Sequence, residues 1–208
     1  WIVDNEDDKN LLVMEDGKFT PRALPRGLAI SDLEGITSDG TYLYLMAGGG
    51  LSKKGGVDPR RFTLTRLTVS GGKLESGVVL DVLPWMKRLA KQIGAELEKA
   101  KDEDGEKVKV VEDWKPEGLA CLPDGRLLVG VRKPLIKGKS AIVSLEGYRE
   151  AFERQDPELV KPELVDKVDC GGAGISSLEW DPIAKTLLVL SIESAKHRTD
   201  VWTYDFED

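Results

Sequence analysis

The sequence predicts an all-β protein whose strands form a β-propeller of about four blades, or part of a larger propeller. Three stretches, residues 32–46, 114–132 and 174–190, support this prediction because each contains a strand, a turn and a second apolar strand. The first two stretches share a Glu-Gly pair and an Asp-Gly step, and Asp-Gly is the strongest short signal of a β-hairpin. Self-similarity at a period of tens of residues, with hairpins inside each unit, is typical of propeller blades.

The other strands can be placed around these three stretches. Residues 1–10 predict a strand that ends in an acidic turn, and a second strand follows at 11–15, so the first blade lacks its opening strand. Such a blade indicates either a chain cut inside a blade or a C-terminus that returns to complete it. The later blades are expected at residues 32–83, 117–168 and 175–206, with a loop at 47–56, a turn at Gly71-Gly72 and a short helix or turn at 146–155. We expect a single β-propeller domain over residues 1–208, as a module of a larger protein.

Residues 84–101 interrupt the pattern of strands and predict an amphipathic helix. Trp85, Leu89, Ile93 and Leu97 recur at helical spacing, and charged residues occupy the opposite side. Pro84 suits the first turn of such a helix. We therefore expect a helical insertion over residues 84–107 between two blades. Its apolar stripe is expected to pack on the rim of the propeller, with binding to a partner as the alternative.

The charge of the chain argues against a nucleic-acid partner. The formal net charge is −7, whereas a surface that follows a phosphate backbone needs clustered Lys and Arg. The basic pairs at Lys53-Lys54, Arg60-Arg61 and Lys87-Arg88 are expected to be solvated surface. The chain has no apolar run of ~18 residues, so no membrane-spanning segment is predicted. With no charged and then apolar leader at Trp1, we expect a cytoplasmic protein, with a secreted or periplasmic one as the alternative.

The cysteines and the histidine give little indication of a metal site. Cys121 and Cys170 lie in or beside apolar strand segments, which favours two reduced buried thiols, with a disulfide between neighbouring blades as the alternative. His197 lies in a polar loop and is expected to be exposed to solvent. Tetrahedral zinc needs several soft ligands, so these three residues argue against a Cys/His zinc site.

Several motifs in their order along the chain resemble a known family. They include Asp32-Leu33-Glu34-Gly35-Ile36, Pro116-Glu117-Gly118-Leu119-Ala120, Asp124-Gly125-Arg126-Leu127 and Gly171-Gly172-Ala173-Gly174-Ile175. Together they look like an uncharacterised bacterial β-propeller family that is itself similar to the phytase-like esterase propellers, and the resemblance covers nearly the whole chain. More distantly, the Glu-Gly strand openings resemble those of gluconolactonase-like propellers, in which the Glu faces the central channel and binds a divalent metal.

Two departures from that family concern positions that would face the mouth of the channel. The family commonly shows Ser-His-Ser where this chain has Ala47-Gly48-Gly49, and Arg-Asp where this chain has Ser176-Ser177. A histidine and a charged pair are therefore missing. Because the function of the family is unknown, the resemblance implies the fold and no particular activity.

The chemistry that the sequence predicts depends on a group of carboxylates. Glu34 and Glu117 occupy equivalent places in two blades, so both are expected to project toward the propeller axis, joined by Asp32 and by Asp4 or Glu6. Converging carboxylates suit calcium or magnesium, and a metal there would polarise a phosphoryl or lactone oxygen. Arg132 would hold an anion beside it. The alternative is structural, because such carboxylates also bond neighbouring backbone amides.

Two functions from different classes follow, and the sequence leaves open whether the protein is an enzyme. The favoured one is a non-catalytic binding module that presents loops and the inserted helix to a protein partner. The other is a divalent-metal-dependent hydrolase, a phosphoesterase or lactonase-like enzyme, that uses Glu34 and Glu117 as metal ligands with Asp32 and Arg132 in the ligand site. Fold analogy alone cannot decide between them.

Overall fold

A computed structural model gives the structure of the chain and describes residues 1–51, 55–102 and 104–206. Strands make up 53% of the chain and helices 13%, which confirms the all-β prediction. Within these described ranges the strands form five antiparallel sheets, and none of them closes on itself. The Lys53-Lys54 pair lies outside the described residues. Among the helices within them, none is long and apolar enough to cross a membrane.

The chain begins with a two-stranded sheet and continues into a four-stranded one. The hairpin contains β1 (Asn10–Glu15) and β2 (Lys18–Ala23). Within residues 1–9 the predicted first strand is reduced to a single bridge between Ile2 and Leu12. The four-stranded sheet contains β3 (Leu33–Ser38), β4 (Tyr42–Ala47), β5 (Thr63–Ser70) and β6 (Lys73–Asp81), paired in chain order.

The insertion that follows is half helix and half hairpin, so the prediction of a helix over residues 84–101 is only partly right. The α-helix α1 (Met86–Ile93) follows a 3₁₀ turn, and β7 (Leu97–Lys101) and β8 (Lys107–Val111) form a hairpin. The helix ends because Gly94 has a φ of 74° and donates its N–H to the carbonyl of Ala90. Leu97, which was assigned to the helical stripe, therefore lies in a strand.

The apolar side of α1 packs against the sheets rather than facing solvent. Met86, Leu89, Ala90 and Ile93 are buried, and the helix lies against β8 and a strand of the second four-stranded sheet. The stripe therefore packs on the protein itself, while its packing on the rim of a propeller stays a prediction. Lys87, Lys91 and Gln92 on the other side of the helix are exposed.

The rest of the chain forms two more sheets of the same kind. The second four-stranded sheet contains β9 (Lys115–Cys121), β10 (Leu127–Lys133), β11 (Ser140–Glu146) and β12 (Lys161–Val168). Between the last two strands lies the short predicted helix, α2 (Tyr148–Arg154). A three-stranded sheet of β13 (Gly174–Asp181), β14 (Thr186–Glu193) and β15 (Arg198–Tyr204) completes the described fold.

Apolar clusters fill the spaces between successive sheets. One lies between the first hairpin and the first four-stranded sheet, and another lies between the second four-stranded sheet and the three-stranded sheet. The largest joins the two four-stranded sheets with both helices, and it contains the almost fully buried Trp85 and Trp114. Burial of apolar surface between sheets is the main stabilising contribution expected for such an arrangement.

Strand β9, at the edge of the second four-stranded sheet, packs between β3 on one side and β13 on the other, and we call these three the inner strands. Glycine makes this close approach possible, because a Cβ added at Gly118 would lie 2.7 Å from the Cγ of Leu178. A Cβ added at Gly130 on the neighbouring strand β10 would overlap the Cγ2 of Ile175. These two glycines bring the three-stranded sheet into contact with the second four-stranded sheet.

We predict that Gly130→Ala lowers the free energy of unfolding by about 2 kcal/mol, because the added methyl overpacks the contact with Ile175. Urea denaturation followed by far-UV circular dichroism measures the loss. The control is Ser76→Thr, which adds a methyl group to the exposed surface of β6 and should change stability by less than about 0.5 kcal/mol. Equal stability of Gly130→Ala and the parent protein would contradict the packing described here.

Candidate functional site

The structure brings the four predicted site residues together at one end of the inner strands. Asp32 comes directly before β3 and Glu34 is its second residue, Glu117 lies in the first half of β9, and Arg132 lies near the end of β10. Antiparallel pairing places the end of β10 beside the start of β9, since Val131 pairs with Pro116. The three carboxylates are close enough for the charge of Asp32 to raise the pKa of both glutamates.

Two of the three carboxylates are already paired with arginine. Both oxygens of Glu117 accept hydrogen bonds from Nη1 of Arg132, at 2.8 and 3.0 Å. Asp32 accepts hydrogen bonds from Nη2 of Arg61 and from its Nε, the latter at 3.1 Å. Glu117 is only 6% exposed, and burial raises the pKa of its carboxyl although Arg132 opposes that rise.

Glu34 is the carboxylate whose charge is not compensated by an ion pair. Its Oε1 accepts a hydrogen bond of 3.2 Å from Nδ2 of Asn5, and no Lys or Arg of the described residues lies within ion-pair distance of it. Burial raises the pKa of Glu34, and the negative charges of Glu117 and Asp32 raise it further, while Lys115 acts in the opposite direction. The site therefore holds one half-buried carboxylate that a cation would stabilise.

Glu34 lies at the edge of a cleft that we call the Glu34 cleft, between the N-terminal segment, the first hairpin and β3. The cleft has a volume of about 450 Å³. Its apolar lining consists of Ile2, Val3, Leu12, Phe19 and Leu33, and its polar lining of Asp4, Asn5 and Glu34. The side chain of Phe19 is 59% exposed, and Asp4 adds a second carboxylate. Of the two N-terminal acids predicted to join the site, Asp4 lines this cleft.

The loop after β4 approaches the carboxylates with glycine residues. A Cβ added at Gly48 would lie 2.6 Å from the Cγ of Glu34 and 2.7 Å from Oδ2 of Asp32. At the next position, Gly49 has a φ of 64°, and an added Cβ would lie 2.5 Å from Cδ1 of Trp114. The space that a side chain at position 48 would occupy is thus taken by the two carboxylates themselves.

The remaining candidates for metal or redox chemistry lie apart from this site. In the described residues, no group of three or more His, Cys, Asp and Glu side chains is arranged to hold a metal ion. Calcium or magnesium binding by Glu34 and Glu117 therefore stays a prediction. Cys121 and Cys170 are free thiols, as the favoured prediction has it. His197 is exposed, as expected.

Sequence reasoning missed three members of the site. Arg61 was predicted to be solvated surface, yet it is three-quarters buried and pairs with Asp32, which lies 29 residues earlier. The carbonyl of Arg61 also accepts a hydrogen bond of 2.9 Å from the N–H of Gly49. No role in the site is predicted for Asn5 or Lys115. The position of Lys115 indicates such a role, because it lies two residues before Glu117 on the same strand and residues two apart share a face.

No protein-family model matches the chain, and no curated protein matches it. The fold and the site therefore define only a class of protein. It is an all-β protein whose strands pair in chain order, with a cluster of carboxylates and arginines at one end of its inner strands.

We predict that Arg132→Met destabilises the protein by about 2 kcal/mol at neutral pH, because it leaves the buried carboxylate of Glu117 without its ion pair. Loss of Arg132 also removes the interaction that lowers the pKa of Glu117, so this pKa rises further above its unfolded value. A carboxyl with a raised pKa destabilises the fold when ionised, and protonation removes the penalty. The loss should therefore shrink as the pH falls through the raised pKa.

Urea denaturation of the parent protein, Arg132→Met, Glu117→Gln and the double variant measures this effect across the acidic and neutral range. In the Glu117→Gln background the Arg132→Met change should cost less than it does in the parent. An equal cost in both backgrounds, or a cost that does not depend on pH, would contradict the role given to this pair.

Proposed function

We propose that this chain is a non-catalytic binding module built from β-propeller blades, which binds a cationic and partly apolar segment of a protein partner in the Glu34 cleft. The blades are suggested by three successive meander sheets, each packed on the next through an apolar cluster, with β3, β9 and β13 side by side. With the first hairpin, these sheets would make about four blades.

The observation that carries this proposal is the uncompensated carboxylate of Glu34 beside an apolar wall. The lining of the cleft includes two carboxylates and one amide, and it contains no Lys or Arg. A Lys or Arg side chain can lay its aliphatic part along apolar surface while its charged end reaches a carboxylate. Such a side chain would meet Phe19 and Ile2 along the wall and Glu34 at the end of the cleft.

The partner is proposed to be a protein segment because the cleft is open on the side of the first hairpin. Phe19 and Met14, which pair across this hairpin, are 59% and 64% exposed, and Ile2 beside them is 40% exposed. An extended peptide with a basic residue next to apolar residues could cover this surface and reach Glu34. Contiguous exposed apolar side chains of this kind are typical of interaction sites.

A binding role fits the state of the other carboxylates better than catalysis does. Glu117 and Asp32 accept hydrogen bonds from Arg132 and Arg61, so a metal ion would have to compete with both arginines. Arginines that hold carboxylates also keep this end of the strands rigid, which favours a preformed binding surface.

A divalent-metal-dependent hydrolase is the second candidate, and one observation favours it. The charges of Glu117 and Asp32 raise the pKa of Glu34, and the charge of Asp32 raises the pKa of Glu117, and a divalent cation would relieve this repulsion. The metal would then polarise an oxygen of a phosphate ester or lactone. Thermal unfolding with millimolar calcium or magnesium separates the two candidates, because a bound metal must raise the melting temperature of the parent protein but not of Glu34→Gln.

Selection from a random peptide library tests the proposed function. We predict that the parent protein enriches peptides with Lys or Arg next to apolar residues, and that Glu34→Gln binds these peptides roughly tenfold more weakly, because a charged hydrogen bond is lost. Binding is measured by fluorescence anisotropy. The control, Glu153→Gln, makes the same chemical change on the exposed side of α2 and should leave affinity unchanged. Peptides that bind Glu34→Gln as tightly as the parent, or no enrichment of basic peptides, would contradict the proposal.

A further inference from the structure

A second cleft lies at the opposite end of the inner strands from the Glu34 cleft. It has a volume of about 410 Å³. It lies where β3, β9 and β13 end, and residues from all three strands line it, including Thr37, Cys121 and Trp180. Trp1 and Leu43 contribute from the N-terminal segment and from β4. We call it the tryptophan cleft.

The two tryptophans of this cleft are held in place by different apolar clusters. Trp1 packs on the cluster between the first hairpin and the first four-stranded sheet. Trp180 packs on the cluster between the second four-stranded sheet and the three-stranded sheet. Both side chains are only partly buried, and both line the cleft. The indole rings of Trp1 and Trp180 thus line the cleft, and each ring is held in place by an apolar cluster.

The side chains of the tryptophan cleft carry one charge, which comes from a carboxylate. Glu179 is the one charged side chain in the lining, and no Lys or Arg of the described residues forms an ion pair with it. Partial burial raises the pKa of Glu179, and a hydrogen bond with the backbone of Trp180 opposes the rise. Cys121 is uncharged at neutral pH, since burial raises the pKa of its thiol to about 12.

From this geometry we infer that the tryptophan cleft binds an organic cation of the alkylammonium class, with its positive group between the tryptophan rings and Glu179. The electron-rich face of Trp attracts cations more strongly than any other side-chain ring, and quaternary ammonium groups are recognised by aromatic surfaces in this way. Apolar lining residues such as Leu43 and Pro182 suit the alkyl groups of such a cation. A bare metal ion would find one carboxylate and few other oxygen ligands here, so it is not the expected occupant.

This inference is independent of the peptide-binding function proposed above, because the two clefts share no lining residue. The probe is choline, and the neutral control is 3,3-dimethylbutan-1-ol, which has the same shape without the charge. Two-dimensional ¹H–¹⁵N NMR follows the indole N–H signals during titration. We expect choline to shift the signals of Trp1 and Trp180 with saturation, while the signal of the buried Trp114 stays in place. The neutral alcohol should bind roughly tenfold more weakly.

Two variants and one matched control complete the test. Glu179→Gln removes the charge at an exposed position, and Trp180→Phe keeps an aromatic ring of weaker attraction for cations; each should weaken choline binding several-fold. The control, Trp202→Phe, makes the same aromatic change on β15, outside the cleft, and should bind choline like the parent. Equal affinity for the neutral alcohol, unchanged affinity in Glu179→Gln, or no saturable shift of the two indole signals would overturn the inference.

Discussion

The close packing of β9 between β3 and β13 is the constraint on which the other features of the structure depend. Glycines at 118 and 130 remove the side chains that would separate the second four-stranded sheet from the three-stranded sheet. Separate apolar clusters then fill the spaces between successive sheets from the first hairpin to the three-stranded sheet. Because the three inner strands lie side by side, their two ends become two separate surfaces, and each surface contains a cleft.

This packing also explains the electrostatics of the Glu34 site. Strands β3 and β9 each bring a glutamate to the same end, so carboxylates are forced together and must be compensated. Arg132 and Arg61 compensate Glu117 and Asp32, while Glu34 shares only a hydrogen bond with Asn5. Because the charge of Glu34 is partly buried and has no ion pair, a cationic group would gain more binding free energy at Glu34 than at the two paired carboxylates.

The fold predictions that were confirmed came from local patterns in the sequence. The strands of residues 32–206 and the Gly71-Gly72 turn follow from alternation and turn chemistry, which depend on neighbouring residues. The predicted convergence of Glu34 and Glu117 rested on their equivalent places in two repeats. The end of α1 was missed because the stripe continues through Leu97, whereas the left-handed conformation of Gly94 stops the helix. Arg61 was missed because it pairs with Asp32, which lies 29 residues earlier, and no local pattern indicates a contact at that separation.

The claim that Glu34 is an uncompensated carboxylate is tested most directly by measuring its pKa. Carbon-detected NMR of the side-chain carboxyl, in the parent protein and in Glu117→Gln, gives this value without any ligand. The structure predicts a pKa above the ordinary value of 4.5 in the parent, and a lower one in Glu117→Gln because a neighbouring negative charge is removed. A pKa at or below the ordinary value, unchanged by Glu117→Gln, would show that the charge of Glu34 is already compensated and would contradict the account.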